Sequence, residues 1–175
     1  MALTYQAIAT VTVGSGGASN IEFTSIPGTY TDLLVKVSAR QDAAGTNGQF
    51  QMRFNGSSST IYSRRKIYGD GSSALSNSGS SEDAFQYIDV PRTGATANTF
   101  GNVEIYIPNY AGSNNKSISI DAVTEQNGTT AYAEFYAGLW ASTSAITSIT
   151  LIPMGASEKF LQYSTATLYG IKNTV

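Results

Sequence analysis

Residues 21–40 read IEFTSIPGTYTDLLVKVSAR, and the spacing of their apolar residues sets the fold class. Ile21 and Phe23 alternate with Glu22 and Thr24, and Ser25-Ile26-Pro27-Gly28 then breaks the alternation. Pro27 has a fixed φ and no N–H, and Gly28 accepts positive φ, so a turn is predicted there. Beyond Asp32, the residues Leu33, Val35, Val37 and Ala39 share one face, and Leu34, Lys36, Ser38 and Arg40 share the other. A period of two with one apolar face marks a half-buried strand. The stretch therefore predicts a short strand, a turn and a longer central strand that needs neighbours on both sides.

The same period recurs along the chain. Residues 4–13 predict a first strand, with Ala7, Ala9, Val11 and Val13 on one face. Residues 49–54 predict another, and Asn55-Gly56 follows as a hairpin signal, with residues 60–68 expected to pair back across it. Further strands are predicted over 84–90, 100–107, 116–123, 130–140, 148–152 and 165–172, with Asn127-Gly128 as a second hairpin signal. Residues 70–83 are rich in Gly and Ser around Leu75, and they predict a long surface loop. Residues 158–160 suggest a short helical turn. No segment sustains a helical period. Short strands joined by regular turns predict an all-β chain, an antiparallel two-sheet sandwich of jelly-roll-like form, with residues 1–175 as one domain.

Composition narrows the function classes. A chain of 175 residues is long enough for one domain with a real core. Charged residues make up 13%, about half the usual share, so the surface must be polar through neutral side chains. Such a surface suits carbohydrate or neighbouring protein copies. A net charge of -2 argues against nucleic-acid binding, which needs clustered Lys and Arg. The absence of Cys excludes disulfides and thiolate sites, and the absence of His removes the usual general base and metal ligand. No apolar run approaches the roughly 20 residues of a membrane-spanning helix. The N-terminal residues alternate like a strand and do not resemble a signal peptide. No cofactor and no metal is predicted.

Four groups of residues are candidates for a site. Arg64-Arg65-Lys66 is the one basic cluster, suited to an acidic surface or a subunit contact, or else to charges solvated on a strand. Among the acids, Glu82-Asp83 and Asp121 with Glu125 stand closest in sequence. Extended Glu82 and Asp83 point to opposite faces, and Asp121 and Glu125 would share a face but lie more than about 10 Å apart along a strand, so neither pair converges as a glycosidase pair must. Asp89 and Glu104 would meet only through the fold. Asp70-Gly71 with Glu82-Asp83 offers oxygen ligands for calcium, at a spacing that fits a turn better. The strand over 130–140 carries Tyr132, Glu134, Tyr136 and Trp140 on one face, an aromatic set suited to core, interface or sugar contact. Arg64, Arg65, Lys66, Tyr132, Tyr136 and Trp140 are the predicted interface residues.

Four stretches also resemble a family. The run from Phe23 to Leu33, and later Phe54 to Ser57, Tyr62 to Arg65 and Tyr68 to Ser72, resemble small virion structural proteins of tailed bacteriophages. The likeness covers about the first half of the chain. It implies a jelly-roll-like protein that coats or decorates a particle, and it carries no catalytic residues.

The expected function is a capsid decoration, or cement, protein bound to the outer surface of a virion. Its partners would be the major capsid protein and other copies of itself, as a homotrimer placed at three-fold positions of the shell. A chain that starts at Met1 and lacks a repeated shaft favours this over a whole fibre. Residues 1–6, the basic triplet and the loops would make the contacts. The alternative is a tail-fibre or receptor-binding domain that recognises a host surface glycan in a groove lined by Tyr, Asn and Asp. An enzyme is not expected.

Overall fold

The computed structural model describes residues 4–128 and 131–172, and among these it contains strands and no helix. Numbered in chain order, the larger sheet holds eight strands: β1 (Tyr5–Thr12), β12 (Thr165–Ile171), β3 (Asp32–Ala39), β8 (Gly101–Ile107), β9 (Lys116–Val123), β10 (Ala133–Trp140), β5 (Tyr62–Gly69) and β6 (Ala74–Glu82), in that spatial order. The smaller holds four, in the order β2 (Ile21–Phe23), β11 (Ile149–Pro153), β4 (Asn47–Phe54) and β7 (Phe85–Pro91). Every pairing is antiparallel. The chain crosses repeatedly between the sheets, so that β2, β4, β7 and β11 lie in one and β3, β5–β6, β8–β10 and β12 in the other. This is jelly-roll wiring. The β8–β10 meander takes the place of a single strand, and β1 and β12 extend one edge.

The quoted stretch folds as its pattern dictates. β2 lies in the smaller sheet, and β3 is flanked by β12 and β8 in the larger. Leu33, Val35, Val37 and Ala39 face the core, while Lys36 and Ser38 are exposed. Between the two strands it is Ser25 that takes the left-handed conformation, at φ 54°, and Gly28 does not. The Tyr110 hydroxyl donates to the Pro27 carbonyl and ties down this turn. Arg40 belongs to the polar face by count, yet it is buried. Its guanidinium donates to the carbonyls of Thr93, Ala95, Thr96 and Thr99 at 2.7–3.2 Å, which satisfies a loop that has no ladder of its own.

Among the described residues, thirty buried side chains form one core cluster, to which every strand except β6 contributes directly or by packing against it. Its aromatic centre joins the sheets: the Phe54 ring lies 5.4 Å from Phe85 and 5.5 Å from Trp140, and Tyr62 lies 5.0 Å from Phe85, all edge to face.

Four expectations are corrected. Residues 70–83 are not a loop, because Ala74–Glu82 pairs along β5 as an edge strand. Backbone pairing with β5 orders a Ser- and Gly-rich segment that buries little apolar surface, and Asp70 Oδ1 caps the turn by accepting from the N–H groups of Ser72 and Ser73. Asn55 and Gly56 both have positive φ, but they do not close a hairpin. β4 and β5 lie in different sheets, and the turn carries the chain across the sandwich. There the Asn55 side chain accepts from the N–H groups of Thr147 and Ser148 and donates to the Ala145 carbonyl. In β1 a bulge between Ala7 and Ala9 shifts the register, so Ile8 and Val11 pack on the core while Ala7 and Ala9 are exposed. Residues 158–160 form no helix; Phe160 bridges to Ala18 and Gln41.

Candidate functional site

The two sheets differ in width, and this creates the site. The smaller sheet ends at β7, while β10, β5 and β6 continue the larger one beyond the β3–β8–β9 centre. At its Tyr62 and Trp140 end the inner face of that overhang packs on Phe54 and Phe85 of the smaller sheet, and toward Tyr68 and Tyr132 it leaves that apolar cover. The residues there alternate correctly for a strand but are charged or aromatic. Tyr62, Arg64, Lys66 and Tyr68 share this face of β5, and Tyr132, Glu134, Tyr136 and Trp140 share the matching face at β10. The register sets Tyr68 opposite Glu134 and Lys66 opposite Tyr136, so Lys66 and Glu134 are diagonal neighbours.

Arg64 and Lys66 are buried and internally paired. Arg64 Nε donates to both Glu82 carboxylate oxygens at 3.2 and 3.0 Å, a guanidinium nitrogen donates to Asn77 Oδ1, and the guanidinium sits 4.5 Å from the centre of the Tyr87 ring. Lys66 Nζ donates to the Tyr87 carbonyl at 2.9 Å and to Asp89 Oδ2, and it lies 2.9 Å from Glu134 Oε1. One ammonium thus stands between two carboxylates in a dry place. Burial pushes the Glu134 carboxyl up to about 9, and the neighbouring Asp89 adds to this while Lys66 opposes it. At neutral pH the Glu134 carboxyl is therefore held protonated.

Above this cluster lies a cleft of about 290 Å³, lined by Asn47, Gly48, Gln49, Lys66, Tyr68, Asn77, Tyr87, Asp89, Arg92 and Tyr132. Tyr68 and Tyr132 meet edge to face at 5.6 Å in its wall. Gln49 Nε2 donates to Asp89 Oδ1 at 2.9 Å, so both oxygens of Asp89 are engaged. Arg92 donates to Glu158 at 2.6 Å through a terminal nitrogen, while its buried Nε has no partner among the described residues.

The six predicted interface residues separate. Arg64 and Lys66 are held in the buried pairs just described, and Tyr136 and Trp140 belong to the core. As folded, these four are buried, and of them Lys66 alone reaches the cleft. The reason is the inward face they share, which the sequence showed without showing what would cover it. Arg65 alone of the triplet is exposed, on the outer face, and Tyr132 lines the cleft. Among the first six residues, Met1 to Leu3 lie outside the described residues.

The carboxylates proposed from sequence are dispersed. Glu104 pairs with Lys36 at 3.0 Å, away from Asp89. Asp83 pairs with Arg53, Glu82 with Arg64, and Glu125 accepts from the Asn127 N–H. The carboxylates that do approach one another are Asp89 and Glu134. Glu134 does not line the cleft, and its side chain is 1% exposed. Among the described residues there is no group of three or more His, Cys, Asp or Glu side chains that could hold a metal. Gln49, Asn77, Tyr87 and Arg92 escaped the sequence reading, since nothing in their local pattern sets them apart. The chain matches no protein-family model, no curated protein and no solved structure.

Proposed function

We propose that this chain is a structural protein of a bacteriophage virion, a decoration protein that binds the outer capsid surface and stabilises the shell. The jelly-roll wiring, the low charge content and the resemblance of the first half support the reading. The observation that carries it is a strip of exposed apolar side chains on the outer face of the larger sheet. Ala133, Phe135, Ala137 and Leu139 run along β10, with Val123 opposite Ala133 and Ile67 opposite Phe135. Ile67 is 61% exposed and Phe135 50%. Large exposed apolar patches of this kind mark contact surfaces. The rim is polar, with Arg65 on the β5 side and Asp121 on the β9 side.

The first occupant is a second copy of this chain. A two-fold axis along β10 would set the strips face to face and bring Arg65 of each copy against Asp121 of the other. That contact joins copies in pairs, and the three-fold arrangement inferred from the resemblance would need a further one. The free edge of β6, nine residues without Pro and with one charge at its end, is a second surface open to a protein neighbour such as the major capsid protein. Weak contacts repeated over a shell act together through effective concentration. The role is mechanical, with no catalytic step.

Immunogold electron microscopy of the parent particles tests this. Antibody against the chain should label the whole shell. Label confined to the tail would overturn the decoration reading and leave a second one, a tail-fibre or receptor-binding domain. The observation favouring that second reading is the tyrosine- and amide-lined cleft.

A further inference from the structure

We infer that the cleft beside β7 is a binding site for an uncharged saccharide, with Tyr87 as its principal contact. Three features point to a built site. The first is the conformation of Tyr87. It sits within a strand at φ 65°, in the left-handed region that a bulky side chain almost never occupies. Such backbone persists only where surrounding contacts enforce it, and it concentrates at binding sites. Here the Lys66 ammonium holds the Tyr87 carbonyl, the Tyr87 N–H donates to Met154 Sδ at 3.3 Å, and Arg64 lies against the ring. The β4–β7 register shifts nearby, between Phe50 and Met52, as happens where a bulge re-aims a side chain. The result is a tyrosine 37% exposed at the cleft.

The second feature is unused hydrogen-bonding capacity of both kinds. Asn47 Oδ1 accepts from Gln126 and Asn77 Oδ1 from Arg64, which leaves both amide nitrogens as donors. Gln49 uses its nitrogen on Asp89, which leaves its oxygen as an acceptor. Neighbouring donors and acceptors match sugar hydroxyls, each of which does both. Tyrosine rings supply the apolar faces that sugar C–H groups pack against.

The third feature is charge. Lys66 is balanced by Asp89, Arg92 by Glu158, and Arg64 by Glu82. Nothing in the cleft is left to select an anion, which argues for a neutral sugar over a sialylated or phosphorylated one. At about 290 Å³ the cleft is at the small end of ligand sites, suited to one ring or the end of a chain.

The inference concerns the ligand and not the place of the chain on a particle, so it stands or falls separately from the immunogold result. The test is an array of neutral and acidic glycans probed with the labelled full chain, followed by calorimetric titration of the best neutral glycan. We expect neutral glycans to bind. Tyr132→Ala and Tyr87→Ala should each weaken binding at least tenfold while circular dichroism and melting temperature show a folded protein. Should Tyr87→Ala fail to fold, Tyr132→Ala alone decides. Phe135→Asp, on the opposite face of the sheet, should bind as the parent does. Absence of any neutral ligand, a preference for acidic glycans, or unchanged binding by the folded tyrosine variants would each overturn the inference.

Discussion

Burial of Glu134 beside Asp89 gives the folded chain a proton that the unfolded chain releases at ordinary carboxylate pH. The sign of the pH dependence follows. Between the usual glutamate range and about 9 the folded state binds the extra proton, so each step up in pH in that window favours unfolding. The Glu134 contribution is fully present below the unfolded value and is lost as pH rises through the folded one. Glu134→Gln keeps the shape and removes the titration. Chemical denaturation at several pH values between 5 and 9 should show parent stability falling more steeply than that of the variant. Parallel curves would contradict the protonated assignment. A second residue-scale prediction concerns Gly138 on β10. A Cβ added there would lie 2.6 Å from Phe85 Cε1 and 2.9 Å from Ile118 Cγ1. Both neighbours are core side chains with little room to retreat. Gly138→Ala should destabilise by about 1–3 kcal/mol, read from urea midpoints, through overpacking and not through backbone conformation.

At the scale of elements, β10 shows how far local pattern reaches. Its period of two was legible, including the separation of Tyr132, Glu134, Tyr136 and Trp140 from Phe135, Ala137 and Leu139. Which face would be inside was not, because both are rich in apolar or aromatic groups and only the position of the smaller sheet decides. The same holds for the basic triplet. Alternation placed Arg64 and Lys66 on one face and Arg65 on the other, but their acids come from β6, β7 and β10. β6 was hidden for a different reason. A Ser- and Gly-rich strand has no apolar signal, and it forms because β5 offers it a backbone to bond. The outer strip gives the element-scale prediction. Phe135→Asp should leave stability within about 0.5 kcal/mol, since the side chain is half exposed. In light scattering it should reduce a two-fold assembly to the monomer mass. Parent and variant of identical mass would remove the strip as a self-association surface.

For the whole molecule, the single tryptophan is a useful reporter. Trp140 belongs to the larger sheet and packs against Phe54 of the smaller, so its emission follows the joining of the two. With one core cluster spanning both sheets, far-ultraviolet circular dichroism and tryptophan fluorescence should give coincident denaturation curves. Separate midpoints would mean that the sheets, or the β5–β6 overhang, unfold independently. Most neighbours in the sheets are remote in sequence, as β1 is from β12 and β2 from β11, so folding should fall in the slow, non-local range. The sequence by itself determined every strand but β6, the apolar face of most of them and the two-sheet class, because a period of two is local and burial of one face satisfies it. It also settled which chemistries lack their residues. The crossing at Asn55, the pairing of a Gly- and Ser-rich edge, the inward turn of Arg64 and Lys66 and the cleft around Tyr87 were decided only by the tertiary structure. Each depends on which remote backbone or charge lies opposite, and a sheet that is four strands wide facing one of eight sets that arrangement.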